Sequence, residues 1–364
     1  MAAHRIDPTY VSGAWRVGDP VGRRRFVDVG RVRDVPVTVA YETYGRLAPA
    51  RDNAVLIQHA FTSDSHVAGA AEPGHPTPGW WGDFVGPGSV VDTDTYFVIC
   101  PNVFGGCQGT TGPASEHPDG GRWGSRFPEI TAADQAEVER RLIDALGITR
   151  LAGAIGLSMG GHRTLEWMRL YPDALASALL VACSARSTAL QIASRSAQIE
   201  AITADPKWHG GDYYDAGGPA GGLALARRIA FLSYRSEVGL DDKFPDTVSG
   251  GRGFVGSWLD HQADTLLPRF DAGTYVTLTR AMSSYNRGRS RARIDELLGG
   301  LDVPATVIGF SSDPLYPIRL QHEIADRLPN CEPARIADSP HGHDGFFIER
   351  EVMFDAVRTA LARG

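Results

Sequence analysis

The residues with the clearest chemical meaning lie between positions 151 and 170, in the stretch LAGAIGLSMGGHRTLEWMRL. Residues 151–155 form a short apolar run typical of a buried strand, and the apolar residues after position 164 recur at the spacing of an amphipathic helix. Between them lies the pattern Gly-x-Ser-x-Gly, whose serine is Ser158. In this context the pattern is a nucleophile elbow, in which the serine oxygen stands clear of the sheet. A glycine-rich turn can be a simple packing device, but the flanking elements favour a nucleophilic Ser158.

A serine hydroxyl needs a base to become a nucleophile, and the base needs a carboxylate that orients it. After a nucleophile elbow the partners follow in the order Ser, Asp or Glu, His. Asp313 comes directly after a predicted late strand, residues 303–310, which is the expected place for the carboxylate. Less well placed are three other carboxylates: Asp302, Asp326 and Asp338. His341 and His343 both lie in the last loop, and spacing does not decide which of them is the base.

The tetrahedral intermediate of such a reaction also needs hydrogen-bond donors for its oxyanion. After an elbow, one donor is the backbone N–H of the residue that follows the nucleophile, and the other comes from an early loop. Here these are Met159 and Phe61, the latter in the loop after a predicted strand at 53–57. A rival interpretation uses His341, His343 and Asp344 as metal ligands. Because no third histidine and no HExxH motif accompanies them, we predict no metal site.

Composition limits the classes of function. The chain has 364 residues, a formal net charge of −7 and 43% hydrophobic residues, so it can form a large core with an inserted or second domain. Its acidic balance and lack of a dense Lys/Arg run argue against nucleic-acid and membrane partners. The N-terminal residues show no signal peptide and no run could span a bilayer, which predicts a cytoplasmic protein. Its four cysteines form no CxxC motif and are expected to be free thiols.

The order of predicted elements indicates an α/β protein with a mostly parallel sheet flanked by helices. Residues 1–34 are polar and resemble an N-terminal arm leading into the first strands. Strands and helices then alternate to about residue 186, where the alternation stops. Residues 187–298 carry helical patterns broken by Gly, Pro and Asp, and we interpret them as an inserted helical lid. The α/β pattern resumes over residues 299–364, so the core has two parts, 1–186 and 299–364.

Many short motifs follow one another along the chain in a recognisable order. They are HA at 59–60, DSH at 64–66, PGWW at 78–81, GGC at 105–107, TGP at 111–113, WGSRFP at 123–128, SMGG at 158–161, LEW at 165–167, ADP at 204–206, GDY at 211–213, LAR at 225–227, SD at 312–313 and GHD at 342–344. With these motifs the chain resembles the homoserine O-acetyltransferase family of α/β-hydrolase-fold acyltransferases over nearly its whole length.

The resemblance implies the α/β-hydrolase fold and a catalytic triad of Ser158, Asp313 and His343, which selects His343 over His341. It also implies that Arg227 holds the carboxylate of the amino-acid substrate and that Asp344 lies near its amine. From position alone, Arg227 would be a surface arginine at the edge of an apolar helix face. The implied reaction is a ping-pong transfer of an acetyl group from acetyl-CoA, a substrate, to L-homoserine in methionine biosynthesis, with no permanently bound cofactor. A homodimer formed through the lid is implied as well.

Two places depart from the family's pattern. Leu157 stands where glycine is usual before the nucleophile, and Phe61 and Ser63 stand where leucine and glycine are usual. Both departures are expected to add bulk near the acyl group or the acceptor. A succinyl donor, or L-serine or another hydroxyl compound as acceptor, therefore remains an alternative. Further alternatives are a serine esterase of the same fold and a non-catalytic binding protein, although the latter is expected to have a broken triad.

Overall fold

The computed structural model describes residues 9–245, 253–286 and 289–364. Ten strands are found in these residues, and most are short and apolar. They are β1 (Arg25–Val32), β2 (Val35–Tyr44), β3 (Ala54–Gln58), β4 (Val85–Gly86), β5 (Val91–Asp92), β6 (Phe97–Pro101), β7 (Gly153–Leu157), β8 (Ala178–Val181), β9 (Ala305–Phe310) and β10 (Arg335–Ala337).

Eight of the strands form one sheet in the order β1-β2-β6-β3-β7-β8-β9-β10, while β4 and β5 pair separately. The first two strands are antiparallel to each other, β2 is antiparallel to β6, and the other neighbours are parallel. The central strands β3, β7, β8 and β9 are buried along their whole length. Continuous apolar runs of this kind are typical of parallel strands covered on both faces.

Eleven helices accompany the strands in the described residues. They are α1 (Ala132–Ala145), α2 (Met159–Leu170), α3 (Ala189–Thr203), α4 (Ala220–Tyr234), α5 (Glu237–Lys243), α6 (Gly253–Leu266), α7 (Ala272–Ser284), α8 (Arg291–Gly299), α9 (Arg319–Ala325), α10 (Gly345–Ile348) and α11 (Arg350–Leu361). None of them is both long and apolar enough to cross a membrane.

Side-chain alternation along the strands divides the core between the two faces of the sheet. Ala54 and Leu56 of β3 pack with apolar residues of α1, α2, α8 and α9. Val55 and Ile57 point the other way and pack with α11 and with Trp81. This period of two follows from the pleat of a strand. The sheet is therefore covered on both faces, and the ends of its strands are left to form a site.

Between β8 and β9 the described residues form only helices and loops, from the start of α3 at Ala189 to the end of α8 at Gly299. Apolar residues of α4, α6 and α7 form a third cluster, which includes Phe61 and Met159 of the sheet domain. The helical segment therefore packs against the loop after β3 and the first residue of α2.

Two predicted elements differ from the structure. The polar segment 1–34 was expected to be an arm; residues 1–8 lie outside the described residues, and the rest of the segment contains β1, an edge strand that pairs with β2 and is largely exposed. An exposed edge strand lacks the apolar pattern from which strands are predicted. The elbow strand was placed at 151–155 but spans Gly153–Leu157, so it runs directly into Ser158. Leu151 forms only an isolated bridge with Leu175.

Candidate active site

Ser158 stands between the C-terminal end of β7 and the first residue of α2. Its backbone has φ +55° and ψ −113°, a conformation that residues with side chains rarely adopt. Its N–H donates to the carbonyl of Val181 on β8 (2.9 Å), which fixes the turn to the sheet. The strain is the expected feature of a nucleophile elbow, since only a sharp turn presents the hydroxyl above the strand ends.

The elbow is tight because two backbone segments almost touch. A Cβ at Gly160 would lie 1.9 Å from the carbonyl oxygen of Gln58 at the end of β3. A Cβ at Gly156 would lie 2.0 Å from Thr164 Oγ1 and 2.7 Å from the carbonyl oxygen of Gly160. Glycine at these two positions therefore lets α2 start directly against the neighbouring strand.

The three residues predicted as a triad lie together in one hydrogen-bonded row. His343 Nε2 is 2.8 Å from Ser158 Oγ, and His343 Nδ1 is 2.7 Å from Asp313 Oδ2. The other oxygen of Asp313 accepts the backbone N–H groups of Leu315 and Tyr316, both at 2.8 Å. The carboxylate is thus held in place by the loop after β9, and it orients the imidazole toward the serine.

The other candidates of the last loop point elsewhere. His341 Nε2 lies 3.9 Å from Glu349 Oε1 and does not take part in the row. Asp344 pairs with Arg235, Nε to Oδ2, at 3.0 Å. Because the side chains of His341, His343 and Asp344 face three different partners, they do not form the metal site weighed from the sequence.

The two residues predicted to donate to the oxyanion belong to one apolar cluster. Met159 directly follows Ser158 as the first residue of α2, and Phe61 lies in the loop after β3. Within the described residues, neither backbone N–H has a hydrogen-bond partner. The first N–H groups of a helix have no intrahelical acceptor. Because the elbow starts α2 at Met159, the backbone N–H of this residue is left available as a donor.

The row opens into a cavity of about 410 Å³ between the strand ends and the described helices from Ala189 to Gly299, the segment that the sequence predicts as a lid. Phe61 and Ser63 border it, and Phe61 packs edge-on against Tyr275 with ring centroids 4.7 Å apart. Leu157 does not line it. Its side chain is fully buried on the same face of β7 as Ile155, in the core against α11. The expectation that Leu157 adds bulk near the substrate is therefore wrong, because the alternation of the strand directs it away from the cavity.

Arg227 projects from lid helix α4 into this cavity and is only 8% exposed. Its guanidinium lies over the rings of Phe231 (4.5 Å) and Tyr234 (5.7 Å), and it donates to Thr62 Oγ1 at 3.2 Å. Among the described residues, no carboxylate oxygen is within 4.0 Å of it. A buried cation without a carboxylate partner is unfavourable unless a ligand supplies one.

Asp344 supplies a negative charge to the same cavity. Burial raises the pKa of its carboxyl above the ordinary value, although the positive charges of Arg235, His343 and Arg227 oppose this shift. The cavity therefore holds a cationic and an anionic group on neighbouring elements, an arrangement that fits a zwitterionic amino acid.

A second polar cluster, which the sequence did not predict, lies in the wall of the cavity. The carboxylate of Glu42 faces His66 Nδ1 at 3.0 Å and His75 Nε2 at 3.2 Å. Burial acts to lower the pKa of His66, but hydrogen bonding to Glu42 acts in the opposite direction, and the pKa of His66 lies above its ordinary value. The two rings are stacked 3.9 Å apart at 10°, so their in-plane lone pairs run side by side and do not meet at one metal ion. The cluster is better described as a buried group in which the carboxylate of Glu42 faces both imidazole rings.

Sequence reasoning also missed the partners of Arg227. Phe231 and Tyr234 follow it by four and seven positions, the helical spacing of one face, and this spacing was a usable signal. Thr62 and Arg235 had no such signal, because they meet Arg227 and Asp344 only through the packing of the lid on the strand ends.

Comparison with known proteins agrees with this geometry. A family model described as alpha/beta hydrolase fold matches residues 53–349. The homoserine O-acetyltransferase of Thermobifida fusca (strain YX) is 46% identical over 379 aligned residues, which cover 100% of both chains.

Solved structures show the same similarity. The crystal structure of esterase E22 matches with a TM-score of 0.84 and 25% identity, covering 93% of this chain and 99% of that one. The homoserine O-acetyltransferase from Bacillus anthracis matches with a TM-score of 0.81 and 26% identity, covering 93% and 95%. The α/β-hydrolase fold predicted from the sequence is confirmed.

The contact of Gly160 with the end of β3 is directly testable. We expect Gly160→Ala to lower the free energy of unfolding by about 1–3 kcal/mol, because the backbone oxygen of Gln58 cannot yield to a Cβ. Gly299→Ala is the matched control, since a Cβ there meets nothing within 4 Å. Chemical denaturation of both variants measures the difference, and equal stabilities would contradict the account of the elbow.

Proposed function

Since the chain belongs to the homoserine O-acetyltransferase family of α/β-hydrolase-fold enzymes, we propose that it transfers an acetyl group to the side-chain hydroxyl of L-homoserine. The observation that carries the proposal is the hydrogen-bonded row Ser158–His343–Asp313, which opens into a cavity that also contains Arg227. The row can activate the serine, and the unpaired guanidinium can select an acceptor that has a carboxylate.

In the first half of the reaction, Ser158 attacks the carbonyl of an acyl thioester. His343 Nε2 accepts the serine proton, and Asp313 stabilises the imidazolium through Nδ1–H. The free N–H groups of Met159 and Phe61 are proposed to bind the oxyanion. When the intermediate collapses, the thiolate leaves with the proton from His343, and the acetyl group stays on Ser158.

In the second half, the hydroxyl of the acceptor takes the place of the leaving thiol. His343 accepts its proton as the oxygen attacks the acyl-serine, and Ser158 recovers the proton when the ester product forms. Water would give hydrolysis instead. The lid helices support transfer because they line the cavity and limit the access of water, and Ser158 is only 5% exposed.

Arg227 and Asp344 are proposed to bind the ends of the amino acid. A guanidinium matches a carboxylate bidentately, and stacking over Phe231 keeps it oriented and partly compensates for its burial. The carboxylate of Asp344 attracts the ammonium group, with Arg235 holding it in position. An acceptor that has neither a carboxylate nor an ammonium group gains neither interaction, so simple alcohols and water are disfavoured.

Acetyl-CoA is the proposed donor, as a substrate and not as a resident cofactor. Phe61, which borders the cavity and packs against Tyr275, supports a small acyl group. The place of the reaction in methionine biosynthesis follows from the proposed product. Free thiols at all four cysteines support the predicted cytoplasmic location, where thiols stay reduced.

The proposal is tested by measuring CoA release from acetyl-CoA without acceptor, with L-homoserine and with L-serine, and by identifying products by mass. Release that depends on L-homoserine and yields its O-acetyl ester is the expected result. Release that depends only on L-serine, or a strong preference for succinyl-CoA, would overturn the assignment of acceptor or donor.

A plain esterase is the second candidate, favoured by the similarity to esterase E22. The same row of Ser158, His343 and Asp313 can hydrolyse an ester. Against it stand the charges of Arg227 and Asp344 in the cavity. Acetyl release at the same rate with and without an amino-acid acceptor would establish the esterase.

We also propose a homodimer that forms through the lid. Leu225 and Leu232 lie seven residues apart on α4, so they share one helix face, and they are 49% and 66% exposed. Leu190 on α3 and Val238 on α5 are exposed as well. Apolar side chains of this size gain stability when a second copy covers them.

The triad is tested with paired variants. Ser158→Ala and His343→Asn are expected to lower acetyl transfer by about 10³-fold or more while the fold remains intact, because each removes a group that moves a proton or forms the acyl bond. His341→Asn is the control from the same loop, and wild-type transfer is expected for it. Comparable loss in both histidine variants would contradict the assignment of the base.

Arg227 is tested by separating the two half-reactions. Arg227→Gln is expected to raise the KM for L-homoserine by about 10- to 100-fold, as for loss of a charged hydrogen bond, and to leave the burst of CoA release unchanged. Arg228→Gln is the control, since its side chain pairs with Asp260 instead of lining the cavity. A burst that falls with overall transfer would show that Arg227 acts on the donor.

The dimer is tested by placing charges on its proposed face. The double variant Leu225→Glu and Leu232→Glu is expected to convert the dimer to a monomer, measured by size-exclusion chromatography with light scattering. Leu170→Glu changes an exposed leucine outside the lid and serves as control. A wild-type protein that is already monomeric at micromolar concentration would refute the proposal.

A further inference from the structure

The direction of the Phe61 N–H is set by the carbonyl group of the preceding residue. In a trans peptide the C=O and the N–H of the same unit point in opposite directions, and no peptide bond between described residues is cis. The groups that hydrogen-bond the carbonyl oxygen of Ala60 therefore fix the direction of the Phe61 N–H. Two donors hold it: the ring Nδ1 of His59 at 2.7 Å and the backbone N–H of Ser63 at 3.1 Å.

The second ring nitrogen of His59 decides its tautomer. Nε2 lies 3.1 Å from the backbone N–H of Val103, which can only donate, so Nε2 accepts and Nδ1 carries the proton. Burial, and next the positive charge of Arg163, lower the pKa of His59 to about 3. The ring therefore stays neutral at neutral pH, and Nδ1 keeps the proton that it donates to the carbonyl of Ala60.

Helix α2, which begins directly after Ser158, also holds the loop that follows β3. Arg163, five residues after Ser158, donates to the carbonyl of His59 at 2.7 Å and to Glu139 Oε1 at 2.7 Å. Glu139 also accepts from Trp167 Nε1 at 2.9 Å and from the side chain of Gln58. These side chains are almost completely buried, so the network ties the loop after β3 to α2, which carries the other oxyanion donor.

We propose that His59 is a positioning residue for acyl transfer, whose neutral imidazole holds the Ala60 carbonyl so that the Phe61 N–H faces the oxyanion. It does not touch the substrate. This inference rests on the proposed function, because it assumes that an oxyanion forms on a carbonyl attacked by Ser158. It adds that the second donor depends on one defined hydrogen bond, from His59 Nδ1 to Ala60.

Two substitutions separate this role from simple packing. Asn places its amide N–H near Nδ1, so His59→Asn retains the donor to Ala60 and loses the acceptor for Val103. Gln places its amide near Nε2, so His59→Gln retains the acceptor and loses the donor. Each variant loses one of the two hydrogen bonds of a buried ring, and a purely structural role predicts similar effects.

The readout is the rate of acylation of Ser158 by p-nitrophenyl acetate, followed as the burst of p-nitrophenol. This probe needs neither CoA nor an amino acid, so it reports on the oxyanion even if the donor or acceptor has been assigned wrongly. We expect His59→Gln to lower the acylation rate by about 10²-fold, as for loss of an oxyanion donor, with little change in KM. His59→Asn should retain acylation within about tenfold of wild type.

Equal losses in the two variants, or the larger loss in His59→Asn, would overturn the proposal. Circular dichroism and thermal unfolding establish that each variant is folded. If either is not, the tautomer of His59 in the wild-type protein is decisive and is read from its ¹⁵N imidazole shifts. A proton on Nδ1 at every pH from 5 to 9 is expected, whereas a proton on Nε2, or titration in that range, refutes the mechanism.

Discussion

The site depends on the close contact between the elbow and the end of the neighbouring strand. Ser158 has a positive φ, and this conformation persists only because its N–H is bound to β8 and Gly160 lies against the carbonyl of Gln58. Strain of this kind must be offset by the surrounding structure. The parallel sheet supplies that structure, since the strands on both sides of β7 are fully buried and cannot yield to relieve the turn.

The same contact holds the two segments whose N–H groups are proposed to bind the oxyanion. One N–H belongs to the first residue of α2, and the other lies in the loop that follows the strand touched by Gly160. A buried network through Arg163 and Glu139 links the loop to the helix a second time. Donors that are fixed before the reaction need no reorganisation as charge develops, and this is the main source of electrostatic catalysis. Rigidity of the core is therefore part of the proposed mechanism.

The specificity proposed for the acceptor comes from a different part of the chain. The strand ends carry the reactive groups, whereas Arg227 arrives from a lid helix and is held by Phe231, Tyr234 and Thr62. The guanidinium has no carboxylate partner in the described residues, so it lowers its free energy when an anionic ligand binds. In the proposed mechanism, changes in the lid alter the acceptor while the row of Ser158, His343 and Asp313 stays the same. Similarity to both a homoserine O-acetyltransferase and an esterase is consistent with this proposal.

The sequence alone determined the features that depend on local chemistry. The elbow, the buried strands and the candidate carboxylate Asp313 all follow from residue types at short spacing. Only the tertiary structure decided the features made by distant segments. It showed that His343 faces Ser158 while His341 faces Glu349, that Leu157 points into the core, and that His59 binds Ala60 and Val103. Local spacing fixes the conformation of a turn, but which distant side chains meet across a sheet is set by packing, to which the whole chain contributes at once.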